Sequence, residues 1–269
     1  MPASRILRRM DWIRIEDEGP VRRLVLDRPH RRNAVPSPEG WEGLRRAFVD
    51  FENSAARVLV ITGANGEFCS GADLDPSRLE NEHGVAQHKQ RMNRVADAAA
   101  ALRRLTKPTI AAVDGVAAGA GMNLALGCDV VIATTRARFS EIFVRRGLTV
   151  DFGGTWLLPR LVGPQRAKEL ALSGRMVEAQ EALEIGLCLE VVAPSDLDGR
   201  VNQLASSFLG GAPVAQMFTK QGIDRAWETS FEDALDWEGQ SQSICLGTEV
   251  MAEGVSAFLE KRRPEFKGR

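Results

Sequence analysis

The sequence predicts an α/β layer fold that passes into a purely helical C-terminal region. Two observations carry this reading. Short apolar runs of the buried-strand type alternate with helical periodicity through about residue 195. Beyond that point strands stop, and three amphipathic helical patterns follow in succession. The chain of 269 residues is long enough for one substantial core with an appendage. The expected division is a core over 1–200 and a helical region over 201–269.

The elements follow in order. Trp12–Glu16 and Val21–Asp27 have strand character, and Pro29 in Arg28-Pro-His-Arg31 ends the second of them. Ser37-Pro38-Glu39 starts a helix carrying Trp41, Leu44, Phe48 and Phe51 at core-facing spacing. Val58–Ile61 is an apolar run closed by Gly63. Residues 76–90 are polar and irregular, and a helix of alanines and arginines is expected over about 92–105. Thr109–Val113 and Val130–Ala133 read as buried strands flanking a small-residue helix at Ala118–Leu126. Helices are expected at 164–173, 178–185 and 196–209. The tail then gives 213–229, 231–245 and 248–260.

Charge is balanced, 35 Lys+Arg against 36 Asp+Glu for a net charge of -1. Nothing in that balance attracts nucleic acid or an acidic membrane, and little net repulsion opposes assembly. Cys69, Cys128, Cys188 and Cys245 are far apart, with no C-x-x-C pair or Cys/His cluster. Neither a metal site nor a disulfide framework is indicated, and buried thiols in a reducing compartment are expected. The basic stretch Met1–Met10 runs into Asp11 and Trp12, so no signal peptide is read. The most apolar stretch, Pro108–Ala133, is broken by Asp114, Asn123 and Asp129, which argues against a membrane span. A cytoplasmic protein is expected.

Three segments carry possible chemistry. Gly115-Val-Ala-Ala-Gly119-Ala-Gly121 follows a strand and opens a helix, so its backbone can approach a ligand and point free N–H groups at it. It lacks the third glycine of a dinucleotide fingerprint, since Leu124 stands there. Tight helix–strand packing without a ligand explains it equally well. Phe68-Cys-Ser-Gly-Ala-Asp73-Leu74 is a turn that can expose a further N–H, or an ordinary loop with Asp73 as a cap. Two such amides converging on one oxygen make an oxyanion hole. Asp151 lies between Val150 and Phe152, apolar neighbours that favour a raised pKa and a general base. The competing reading is an N-cap for the helix entered at Gly153.

Together these segments resemble the crotonase superfamily, the enoyl-CoA hydratase/isomerase family, from about Trp12 to the C-terminus. The resemblance also takes in Leu26-Asp-Arg-Pro29, Arg32-Asn33-Ala34, Lys107-Pro108 and Asp114-Gly115 through Asp129. Within the family it is closest to the ring-1,2-epoxyphenylacetyl-CoA isomerase type. That type shares the Gly-Val-Ala-Ala-Gly-Ala-Gly run, the stretch matched by Asp151–Arg160 and the one matched by Glu253–Leu259. The resemblance implies a spiral of ββα turns with two near-perpendicular sheets, and C-terminal helices that form a homotrimer or a dimer of trimers. It implies an acyl-CoA thioester substrate and no separate cofactor or metal. The oxyanion amides would be those of Ala72 and Ala120. Coenzyme A would be met near Arg31, by the backbone through Asp73 and Leu74, and by Phe258 and Lys261.

The departures define the chemistry. Hydratases of the family use two glutamates, and here Asn123 and Phe143 occupy those positions, which leaves them to line the acyl pocket. Glu141 is two residues from the second position, a displacement that need not point to the same place, and a solvated or salt-bridged role is expected for it. Asp151 falls where family isomerases keep their acid/base aspartate. The inventory favours an isomerase that shifts a double bond with Asp151 as single acid/base; a hydratase and a silent acyl-CoA binder are the alternatives. The absence of tyrosine disfavours branches that need a tyrosine hydroxyl. A dehalogenase reading would require His83 or His88 as base.

Overall fold

The computed structural model describes residues 6–10, 12–74 and 84–266. A seven-stranded sheet organises the chain. It comprises β1 (Ile6–Met10), β2 (Ile13–Glu18), β3 (Val21–Leu26), β4 (Val58–Gly63), β5 (Thr109–Val113), β7 (Val130–Thr134) and β10 (Glu190–Val192), in the spatial order β1-β2-β3-β4-β5-β7-β10. The first three strands pair antiparallel, as tight turns allow. From β3 onward every pairing is parallel, so each step needs a crossover. The central strands are apolar on both faces: all five residues of β5 are buried.

A second, three-stranded sheet contains β6 (Val116–Ala118), β8 (Arg138–Ser140) and β9 (Val177–Glu178). None of these exceeds three residues, too short for any alternation to show in the sequence.

Helix α1 (Glu39–Asn53) buries Trp41, Leu44, Ala47, Phe48 and Phe51 along one stripe, as its spacing predicts. It packs against α2 (Val85–Arg103). Helix α2 begins about two turns before the expected start. Its early residues bury nothing, so the apolar pattern is silent there and helix-forming Gln, Lys and Arg extend it. Next come α3 (Ala120–Leu126), α4 (Gly154–Val162), α5 (Pro164–Ser173), α6 (Ala179–Glu184) and α7 (Leu197–Leu209). Helix α7 places Leu197, Val201 and Ala205 over Val58, Val60, Ile110 and Ile132, closing one face of the large sheet. The opposite face meets α1, α2 and α3 in the main core. Helices α8 (Pro213–Arg225), α9 (Phe231–Leu246) and α10 (Glu249–Leu259) finish the chain without an intervening strand. Ser230 and Asp233 form a capping box on α9. Cys69, Cys128 and Cys188 are buried and Cys245 half-buried, all as free thiols. Among the described residues no helix is long and apolar enough to cross a membrane.

Candidate active site

Two loops cross beside the mouth of the parallel sheet, stitched by main-chain bonds. Cys69 N–H donates to Val116 O at 2.9 Å, and Ala118 N–H donates to Cys69 O at 2.9 Å. On the other side of the 68–74 loop, Val35 N–H donates to Gly71 O at 2.8 Å and Asp73 N–H to Val35 O at 2.9 Å. This parallel bridge uses the groups flanking Ala72, so the Ala72 N–H itself points away from Val35. The approach is close enough to demand glycine: a Cβ on Gly121 would fall 2.2 Å from Cys69 O. Gly119, at φ 55 and ψ -130, turns the chain from β6 into α3 in a conformation that side chains resist. Ala120 is thereby the first residue of α3, and its N–H has no intrahelical acceptor. Ala120 N lies 3.5 Å from where a Gly71 Cβ would stand, so the Ala72 and Ala120 amides border one crevice.

Asn33 fixes this loop pair from behind. Fully buried at φ 56, it donates from Nδ2 to Ala64 O at 3.0 Å and Glu67 O at 2.6 Å. Its Oδ1 accepts from Arg28 N–H at 2.9 Å. The Arg32-Asn33-Ala34 segment is therefore a brace for the chain that pairs with Gly71–Asp73.

The pairing of β8 alongside β6 continues as Gly119 N–H donates to Ser140 O at 2.8 Å. Glu141 consequently emerges beside the first turn of α3, where Asn123 is one turn in. Asn123 is fully buried, and its Nδ2 donates to Asp151 O at 2.9 Å and, over a long 3.4 Å, to Glu141 Oε2. Phe152 and Gly153 both take positive φ, 51 and 82, and fold the chain back so that Asp151 O also receives Gly154 N–H at 3.1 Å. The Phe152 ring packs on Trp41 with centroids 5.6 Å apart, anchoring the turn to α1. A Cβ on Gly154 would lie 2.3 Å from Asn123 Nδ2, so the amide is clamped against α4.

Asp151 is not a helix cap. The N-cap of α4 is Gly153, with no side-chain hydrogen bond. Among the described residues, Asp151 Oδ1 is buried without a partner, as are Asn123 Oδ1 and Glu141 Oε1. Burial pushes the Asp151 carboxyl up to about 6, against the pull of the Arg91 charge on α2. It can thus be ionised at neutral pH yet retain the basicity to take a proton.

Glu141 overturns its expectation. It is only 1% exposed, and among the described residues it makes no ion pair. Burial raises its carboxyl to about 8; the Asn123 hydrogen bond opposes this and the Asp151 charge adds to it. The two cations that follow it in the chain go to other acceptors: Arg145 Nε donates to Ser173 O and Arg146 to Arg145 O. The signal for burial was available in the flanking aromatics Phe139 and Phe143, both buried.

Phe143 also faces the crevice, its Cζ 3.6 Å from where a Gly119 Cβ would stand. Arg31 is exposed on the turn whose carbonyl accepts from Ser70 Oγ at 3.2 Å, beside the 68–74 loop. Asp73 has both its N–H, given to Val35, and its carboxylate, paired with Arg28 at 2.7 Å, already engaged. Its N–H is thus already given within the chain, whereas Leu74 is 41% exposed. Phe258 is 80% exposed on α10 and Lys261 is exposed just beyond it. His88 is exposed on α2, and His83 lies outside the described residues.

The 68–74 and 115–121 loops, bridged in parallel through Cys69 and Ala117, and the buried carboxyls of Asp151 and Glu141 are the chemical features of the site. The chain matches the sequence model of the Enoyl-CoA hydratase/isomerase family over residues 16–269. It is 36% identical over 258 residues to the short-chain-enoyl-CoA hydratase of Clostridium acetobutylicum, covering 95% of this chain and 97% of that protein. It is 37% identical over 262 residues to the 1,2-epoxyphenylacetyl-CoA isomerase of Escherichia coli, covering 97% of this chain and all 100% of the relative. The crystal structure of an enoyl-CoA hydratase from Bacillus anthracis superposes with a TM-score of 0.90 at 31% identity, covering 96% of this chain and 100% of that one. The chain belongs to the enoyl-CoA hydratase/isomerase family, with the crotonase-like fold, and its family acts on acyl-CoA thioesters.

Proposed function

We propose that this protein is an acyl-CoA isomerase that shifts a double bond in an enoyl-CoA thioester, with Asp151 as its single acid/base. The observation that carries the reading is the state of Asp151. Its carboxyl is uncapped, partly buried, unpartnered at Oδ1 and tuned to about 6, while Asn123 and Phe143 hold the family's glutamate positions. The thioester oxygen binds between the Ala72 and Ala120 N–H groups, which lower the energy of the enolate. Asp151 takes a proton from C2 or C4 and returns it at the other carbon. A single carboxylate suffices when it stays near both. Coenzyme A lies along Arg31 and Leu74, with Phe258 and Lys261 supplied within a homotrimer or a dimer of trimers, in the cytoplasm and without a further cofactor.

The test is conversion of a 3-enoyl-CoA to its conjugated 2-enoyl isomer. Asp151→Asn should lower it by about 10² to 10⁴ and leave coenzyme A binding intact. Turnover close to the wild-type rate in Asp151→Asn overturns the assignment, and absence of any thioester turnover in the wild type would mark a silent binder.

A hydratase reading is favoured by one observation, the arrival of Glu141 as a second carboxyl near Asp151, and by relatives that are hydratases. Two carboxyls with separated pKa values are what water addition asks for. Hydration of crotonyl-CoA at a rate exceeding isomerisation would establish it.

A further inference from the structure

We propose that Glu141 is a positioning residue of this site: uncharged and wedged beside Asn123, it holds the Asp151 turn through the Asn123 amide and keeps Asp151 the only anion there. The inference rests on the isomerase reading for its kinetic consequences, but its protonation claim stands on the free protein. Asn123 Nδ2 reaches both Glu141 Oε2 and the Asp151 carbonyl, so the two acidic residues are tied by one amide. That amide cannot swing away, because Gly154 presses on it from α4. Glu141 itself is 1% exposed, and its Oε1 is buried with no partner.

Among the described residues, the groups that face Glu141 leave its charge uncompensated. From α3 comes the neutral Asn123, and from the turn before α4 comes Asp151, of like charge. From the turn before β9 only the Gly174 backbone approaches, at the Glu141 carbonyl. Arg91 on α2 acts on Asp151, and Arg145 and Arg146 donate elsewhere. An ionised Glu141 would stand as a second anion beside an enolate that is itself anionic. Repulsion in this poorly solvated pocket would penalise the transition state and weaken the Asn123 contact. The site should therefore work while Glu141 keeps its proton and fail as it loses it.

The experiment is kcat/KM against pH for the wild type, E141Q and E141A, with infrared titration of the substrate-free proteins. The wild type should lose about tenfold between pH 7 and pH 9, following a group that titrates near 8. E141Q, which cannot ionise, should keep a measurable rate and stay level over that range. E141A should lower kcat at pH 7 with KM little changed, and E141Q should recover much of that loss. The infrared carbonyl band of a protonated carboxylic acid should be present in the wild type at pH 7, fall to about a tenth by pH 9, and be about as weak in E141Q at pH 7. An alkaline decline that persists in E141Q, or no such band in the wild type, overturns the proposal. The infrared result reads the wild type directly, so it decides even where a variant fails to fold. It is also separate from the proposed mechanism: isomerisation surviving undiminished in Asp151→Asn would sink the assignment of Asp151 as acid/base and leave the band untouched.

Discussion

Lowering the pH from 7 to 5 should remove about nine-tenths of the isomerase rate, because Asp151 titrates near 6. Its folded value is raised above the ordinary 3.8, and the base works only when ionised. Activity is thus present above 6 and lost as pH falls through it. The ionised fraction is about 0.9 at pH 7 and about 0.1 at pH 5. An aspartate of ordinary acidity would still be more than about 90% ionised at pH 5, so the two cases are easily separated. The assay follows the ultraviolet absorbance of the conjugated 2-enoyl thioester formed from a 3-enoyl-CoA, as kcat/KM at low substrate concentration. Asp151→Asn should lower the plateau by about 10² to 10⁴ and leave no acid limb in what remains. An acid limb near 4, or one that persists in Asp151→Asn, would refute the assignment of the base and its tuning by burial.

Arg91→Gln removes the cation that opposes this tuning, so the acid limb should move to higher pH in the same assay. Gly121→Ala drives a Cβ into Cys69 O at 2.2 Å and should cost about 1–3 kcal/mol, read as a lowered denaturant midpoint. Asn33→Ala removes the hydrogen bonds to the half-buried Ala64 and Glu67 carbonyls and from the Arg28 N–H, and about 1–3 kcal/mol of stability should be lost. Glu141 binds its proton up to about 8 when folded but only to the ordinary 4.5 when unfolded. Stability should therefore decline as pH rises from 4.5 toward 8 and then level off, and E141Q should flatten that slope in melting temperature against pH.

Much of the fold was legible because burial writes itself into periodicity. Trp41, Leu44, Phe48 and Phe51 marked α1, and the wholly apolar Thr109–Val113 marked β5. Strands β6, β8 and β9 were not, since two or three residues hold no pattern and their pairing is decided by loops that cross in space. The site divides in the same way. Asp151 could be singled out from apolar neighbours, but whether it capped a helix depended on the φ of Phe152 and Gly153. Glu141 was judged by its distance along the chain from Phe143. Both are buried because β8 runs beside β6 and the compact turn after it brings residues 141 and 143 inward, while Arg145 and Arg146 go out to other acceptors.

The 68–74 segment is held on both sides by peptide groups, from Cys69 to Val116 and Ala118 and from Gly71 and Asp73 to Val35. Side-chain drift at 72 or 120 leaves those contacts in place, and only a change that forbids the glycine turns can undo them. The residues at 123, 141, 143 and 151 have no such protection. A lineage built on this frame would inherit the placement of the amides at 72 and 120 as part of the fold, and could exchange one proton-handling repertoire for another by replacing a few side chains at a time.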